Sequence, residues 1–224
     1  MKTRIKIDSA ILSFIIILTG FLYQFPWLYT SSPATDNMLD FIGLIVVLKG
    51  TYLRMTARGY KKSHSQGGHG VVMTGPYSIV RNPMYLGSFL MGAGFVLIVW
   101  PWWTLPIFGY LFYLRFIVQI KKEELYLHET FGRDYDEYTK KVPRFFPRLK
   151  DEIRVNRKEV YPFDVAWSTK EKWGLVAWPV LAVFLEAFQE NIIFGFTDFV
   201  QIIFVFSLAI GYMAVATWII YKRA

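Results

Sequence analysis

Charged residues are missing from long stretches of this chain and return in clusters. No Asp, Glu, Lys or Arg occurs from Ser9 to Thr35, from Asn82 to Leu114 or from Phe199 to Tyr221. A helix needs roughly 20 apolar residues to cross a bilayer. The pattern predicts spans near Ser9–Tyr29, Met38–Ala57, Met84–Trp100, Trp102–Ile120, Trp173–Phe188 and Phe199–Tyr221. Lys49 and Arg54 interrupt the second span towards its inner end, where long basic side chains reach the headgroups. The run from Asn82, extended to Ile120, divides at Trp100-Pro101-Trp102-Trp103. Each half is near the lower limit of about 17 residues for a crossing. Proline breaks the helix there and the tryptophans suit a membrane interface. A tight helical hairpin is predicted, with both polar ends returning to one face. The expected fold is all-α: a polytopic membrane protein of about six transmembrane helices with a cytoplasmic helical segment. Three regions are expected: an N-terminal helix pair over 1–60, a core over 61–150, and a surface linker with a C-terminal helix pair over 151–224.

Composition agrees with this reading. Hydrophobic residues make up 54% of the 224 and charged residues 19%, against about 25% charged in ordinary soluble domains. The first apolar run is longer than a signal-peptide core, and no small-residue cleavage site follows it closely. The net charge of +8 reports topology. With the N-terminus on the cytoplasmic side, the outer loops are Thr30–Asn37, the turn at Pro101 and Gln189–Asp198. These contain no Lys or Arg but hold Asp36, Glu190 and Asp198. That is the positive-inside distribution. It places both termini in the cytoplasm and gives no support to nucleic acid as a partner. There is no cysteine, which removes disulfides, thiolate nucleophiles and cysteine-based metal sites. His64, His69 and His128 lack metal-ligand spacing, so no metal is expected.

The polar segments carry the candidate chemistry. Arg115, Gln119 and Glu123 recur every fourth residue and share one helix face. They fit a stripe facing an internal cavity and, equally well, a snorkelling arginine on an ordinary surface face. Glu124 points elsewhere, within reach of Lys121 or His128. Gly67-Gly68-His69-Gly70 is a small-residue loop that would let a ligand approach the backbone. On local grounds a plain connection is the favoured reading, and the loop lacks the features of a phosphate-binding loop. Gly75-Pro76-Tyr77 predicts a turn, and Arg81-Asn82-Pro83 a helix start with Asn82 as cap. Such a start is suited to a carboxylate ligand. Gly132 is expected to stop a helix, Asp134 to cap a short one ending before Pro143, and the charged stretch after Pro147 to lie along the membrane surface.

One ordered set of residues goes further. His69-x-Val71-Val72, Gly75-x-Tyr77 and Arg81-Asn82-Pro83-x-Tyr85-x-Gly87 precede the hairpin. Glu123-Glu124, Phe131-Gly132, Tyr135, Tyr138, Val142-Pro143 and Pro147 follow it. This order resembles the isoprenylcysteine carboxyl methyltransferase family, whose relatives include phospholipid methyltransferases, over about Gly67–Pro147. The resemblance implies S-adenosylmethionine as methyl donor, bound at the cytoplasmic face. It implies cofactor contacts from His69, Gly70, Val71, Val72, Tyr77, Asn82, Pro83, Met84, Tyr85 and Glu123. It implies a lipophilic acceptor reaching the site from the bilayer, with Arg115, Gln119 and Glu124 on the acceptor side. Acceptor classes in order are a prenylcysteine carboxylate, a phospholipid amine and a small thiol. No catalytic base is named, since a carboxylate or thiolate needs none; for an amine, Glu124 is the candidate. The chain departs from the family at two places. Asn82 stands where histidine is usual and cannot become cationic. Gln119 stands where an acceptor-side arginine is usual, with Arg115 one turn back as its expected substitute. The rival readings are a sterol-type membrane reductase using NADPH and a non-catalytic membrane module on the same scaffold.

Overall fold

The computed structural model describes residues 13–30, 32–65, 70–148, 157–195 and 197–223. Every regular element among them is helical. Helix α1 covers Ser13–Leu22, α2 Pro33–His64, α3 Pro83–Val99 and α4 Leu105–Lys141. Short helices α5 (Arg157–Val160) and α6 (Phe163–Trp167) follow, then α7 (Gly174–Phe194) and α8 (Phe199–Arg223). The first predicted span is therefore shorter among the described residues, and α2 is longer, running past Ala57 to the polar loop. Two stretches are long and apolar enough to cross a membrane: Trp102–Lys141 and Lys170–Phe194. Ser13–Leu22, Pro83–Val99 and Phe199–Val215 are shorter apolar helices. Large hydrophobic side chains such as Ile17, Leu111, Phe184 and Phe204 are exposed on four of these helices. Exposed apolar surface spread this widely needs a covering phase.

Helix α2 is the hub, packing on α3, α6, α7 and α8. Its closest neighbour is α3, and glycine explains why. A Cβ built on Gly50 would lie 2.6 Å from the Gly87 carbonyl, and one on Gly43 would lie 2.8 Å from that of Gly94. The paired positions run in opposite directions along the two helices, so α2 and α3 are antiparallel with their backbones touching. Small residues permit that approach in apolar helix pairs. Overpacking a tight interface costs about 1–3 kcal/mol. Gly50→Ala is expected to lower the melting temperature in detergent; an unchanged melt would show that the crossing relaxes freely.

Helix α4 doubles back along α3. Tyr85 meets Phe116 at 5.5 Å between ring centroids, and Phe89 meets Phe112 and Phe108 at 5.3 and 5.8 Å. Pro101 opens the intervening 3-10 turn Trp102–Thr104. The turn is fastened to the N-terminal part of the chain: Trp100 Nε1 donates to Thr19 Oγ1 at 2.9 Å and Trp103 Nε1 to the Leu28 carbonyl at 3.3 Å. Gly132 breaks α4 with φ 51° and ψ −122°, a conformation glycine adopts readily. Helical structure resumes beyond it and ends at Lys141.

Of the charged stretch after Pro147, expected to lie along the membrane surface, only the two ends fall among the described residues. Residues 149–156 lie outside the described set, but α5 turns back onto the core. Val160 is buried against Leu53, Ile79, Val80 and Leu86, and Tyr52 Oη donates to the Tyr161 carbonyl at 3.1 Å. Lys158 and Glu159 beside Val160 stay exposed. At the opposite end of α2, Asp36 and Asp40 meet Glu186 of α7, with carboxylate oxygens within 4.8 Å of one another. The histidine spacings gave no sign of this group, which is assembled from two distant helices.

Candidate functional site

The polar ends of α2, α3 and α4 enclose a cavity of about 880 Å³, within the usual size of small-molecule sites. Gly70, Val71, Val72, Tyr77, Asn82, Pro83, Met84, Tyr85 and Glu123 all line it, as do Arg115, Gln119 and Glu124. Of the residues singled out from the sequence, His69 lies outside the described set.

The segment after the polar loop is held by backbone geometry and burial. Gly70 N–H donates to the Ser65 carbonyl at 3.1 Å. Val71 and Met73 pack on Tyr135, Tyr138 and Val142 at the C-terminal end of α4. Gly75 has φ +61°, and a Cβ on it would also strike the Tyr60 ring at 2.6 Å, so both backbone and space require glycine. Tyr77 is buried in the 3-10 turn Gly75–Ser78. Its carbonyl accepts from Tyr138 Oη at 2.6 Å. Burial first, then the nearby Glu123 charge, holds the Tyr77 phenol well above the usual tyrosine range, with Arg58 pulling the other way. It is a neutral wall of the site.

Asn82 occupies the N-cap position of α3, but its side chain makes no cap bond. Nδ2 donates instead to Glu124 Oε1 at 3.1 Å and to the Arg144 carbonyl at 3.0 Å. The local cap expectation is corrected: the side chain is oriented by its donor end, Nδ2, on that carboxylate and carbonyl, and its oxygen takes no backbone N–H of α3. Pro83 follows at the first helical position, and Pro83, Met84 and Tyr85 present the helix start to the cavity.

The two adjacent glutamates of α4 have separate surroundings. Glu123 is exposed to the cavity, where its Oε1 accepts from Tyr85 Oη at 2.7 Å and Gln119 Nε2 at 2.9 Å. The stripe reading of Gln119 and Glu123 thus has a physical basis: one turn of helix brings amide and carboxylate together. Glu124 is 8% exposed. Arg144 donates to its Oε2 through Nε at 2.9 Å and Nη2 at 2.8 Å, and Arg81 Nη1 lies 3.6 Å from Oε1. Asn82, Arg81 and Arg144 thus all engage the carboxylate expected on the acceptor side, where it also lines the cavity. His128, offered as its partner, contacts Asp136 at 2.7 Å instead.

Several lining residues went unrecognised in the sequence. Arg54, Arg58 and Lys61 of α2 face the cavity, and their i, i+4, i+7 spacing was a readable signal of one helix face. Arg54 had been assigned to the headgroups. It is turned inward by Ser88 of α3, to which it donates, and by Glu171, at 3.1 Å. Arg115 lies across Phe116, with its guanidinium 5.3 Å from the ring centroid.

Comparison with known proteins places these residues in context. Residues 38–134 match the family model described as phospholipid methyltransferase. Among curated proteins, the chain is 33% identical over 134 residues to the protein-S-isoprenylcysteine O-methyltransferase of Saccharomyces cerevisiae, covering 56% of each chain. It is 37% identical over 123 residues to that of Xenopus laevis, covering 50% of this chain and 42% of the relative. A nickel-cobalt-cadmium resistance protein of Alcaligenes xylosoxydans xylosoxydans is 33% identical over 79 residues, 35% of this chain and 37% of its own. The chain spans about half the length of the curated relatives it matches. No solved structure matches it. The resemblance read from the ordered motif is borne out: the helical core carries the sequence pattern of the isoprenylcysteine carboxyl methyltransferase and phospholipid methyltransferase family.

Proposed function

We propose that this chain is a membrane-embedded methyltransferase that uses S-adenosylmethionine to methylate a lipophilic acceptor. The observation that carries the reading is the convergence of Gly70–Val72, Tyr77, Asn82–Tyr85 and Glu123 on one cavity, inside the segment that matches the family. The residues suit the donor. Glu123 offers a carboxylate for a ribose hydroxyl, an ammonium or a sulfonium. Tyr85 and Tyr77 offer aromatic surface for an adenine or a cationic centre. The start of α3 favours a carboxylate group. Bound there, S-adenosylmethionine would supply an electrophilic methyl group on positively charged sulfur.

What the protein contributes is alignment and exclusion of water. The close α2–α3 crossing fixes one wall, and Glu124 with Arg81, Asn82 and Arg144 fixes where α3 begins against α4. A carboxylate or thiolate acceptor attacks without a general base, which agrees with a site whose buried carboxylate is already engaged. The prenylcysteine carboxylate therefore leads, ahead of a phospholipid amine and a small thiol. The membrane arrangement belongs to the same proposal: six spans including the α3–α4 hairpin, both termini cytoplasmic, and the cavity at the cytoplasmic face, a reading supported by the positive-inside distribution of Lys and Arg. The reductase alternative has no observation in its favour.

Calorimetry on detergent-purified protein tests the reading. S-adenosylmethionine and its demethylated product are expected to bind, NADPH is not, and Tyr85→Ala is expected to weaken both cofactor forms. Folded protein that binds neither form would remove the proposal.

A further inference from the structure

The lining of the cavity is electrically lopsided. It carries six basic side chains, three of them the α2 face of Arg54, Arg58 and Lys61, against the two carboxylates Glu123 and Glu124. Glu123 lies with Tyr85 and Gln119, and Glu124 is consumed by Arg81 and Arg144. The α2 face therefore needs another counter-charge, and the sequence supplies one carboxylate from the far side. Glu171, in the 3-10 turn Lys170–Trp173 just before α7, holds Arg54 Nη2 at 3.1 Å and Arg58 Nε at 3.0 Å. Both contacts use the same oxygen, Oε1, while Oε2 is buried without a hydrogen-bond partner. One carboxylate between two guanidiniums leaves one positive charge uncompensated. Arg58 is about half exposed, and both arginines face the cavity.

We propose that Arg54 and Arg58, held by Glu171, form the subsite that receives an oxyanion headgroup of the methyl acceptor, and so set its specificity. This rests on the methyltransferase reading and extends it to a residue pair on α2. A guanidinium fork matches a carboxylate or phosphate in plane and in charge. Glu171 is a positioning residue. It fixes one edge of each guanidinium and leaves the Nη atoms of Arg58 for the ligand. The segment carrying it is seated firmly, because α6 rests its Val165 backbone on Gly59 of α2. This gives the C-terminal region a role at the site.

The test uses the full chain in nanodiscs of neutral lipid, with three amphiphilic probes: N-acetyl-S-farnesylcysteine, its uncharged carboxamide and dodecyl phosphate. The demethylated cofactor product is titrated separately. The wild type is expected to bind one or both anionic probes about tenfold more tightly than the carboxamide, the worth of one partly screened charge-assisted pair. Whichever anion binds more tightly names the source, carboxylate or phosphate. Arg58→Gln is expected to abolish the preference while leaving product affinity and melting temperature unchanged, and Arg58→Lys to restore part of it. Glu171→Ala is expected to weaken the anionic probes several-fold and leave the carboxamide unchanged, which a purely structural tether would not do. Equal binding of all three probes by the wild type, or a preference that survives Arg58→Gln, overturns the subsite. Failure of both S-adenosylmethionine and its product to bind wild-type protein overturns the methyltransferase reading; an anion preference that persists in that protein then leaves Arg54 and Arg58 as an anion site without a methyl acceptor.

Discussion

Glu124→Ala is expected to destabilise the protein by about 3–5 kcal/mol, the usual cost of removing one partner from a buried ionic group. The reason is what the carboxylate leaves behind. Arg81 and Arg144 lose their shared anion and Asn82 loses the acceptor that orients it. Arg81 has nowhere better to turn: its side chain is 12% exposed and its Nε already lacks a partner. The same carboxylate joins α4 to the start of α3 and, through Arg144, to the chain just past Pro143. Its loss should therefore loosen three segments of the site at once. Thermal unfolding in detergent, followed by tryptophan fluorescence, is the measurement. Glu124→Gln is expected to fall between the two, since an amide can still accept from Arg144 but cannot compensate its charge. A Glu124→Ala protein that melts like wild type yet transfers no methyl group would return Glu124 to the acceptor side as a base.

The helices of this protein were largely legible because apolar length is a local property. The α3 run, the break at Pro101 and the positive-φ break at Gly132 follow from residues at those positions. The site was legible in part for a similar reason. Its loop and helix-start residues cluster in sequence, and the spacing of Gln119 and Glu123 is one helical turn. The pairings were not legible. Glu171 meets Arg54 across 117 positions and Arg144 meets Glu124 across 20, and no periodicity within a helix encodes such meetings. Arg54 shows the cost. In an apolar span a basic residue near the inner end reads as snorkelling, and only the neighbouring Ser88 and Glu171 reveal that it turns inward. Asn82 shows another limit: its place before Pro83 predicts a cap, but its amide is oriented by donation from Nδ2 to Glu124 and to the Arg144 carbonyl, partners 42 and 62 positions away.

Glu123→Ala is expected to weaken cofactor binding more than any other single change in the cavity, by roughly tenfold or more, the scale of a lost charge-assisted hydrogen bond at a partly exposed site. Its neighbour Glu124 acts through the fold, whereas Glu123 faces the cavity with an oxygen poised by Tyr85 and Gln119. That difference makes the pair separable: Glu123→Ala should bind poorly yet melt like wild type, and Glu124→Ala should do the reverse before it fails altogether. Glu123→Gln then identifies the cofactor atom that the carboxylate serves. S-adenosylmethionine carries a sulfonium charge, and its demethylated product has a neutral thioether in the same place. If the carboxylate answers the sulfonium, the glutamine variant loses affinity for the methyl donor and keeps it for the product. If it binds the ribose or the amino group, which both forms share, the two affinities fall together. Calorimetric titration of both ligands into wild type and Glu123→Gln reads the ratio directly. Unchanged affinity for both in Glu123→Ala would remove Glu123 from the cofactor site.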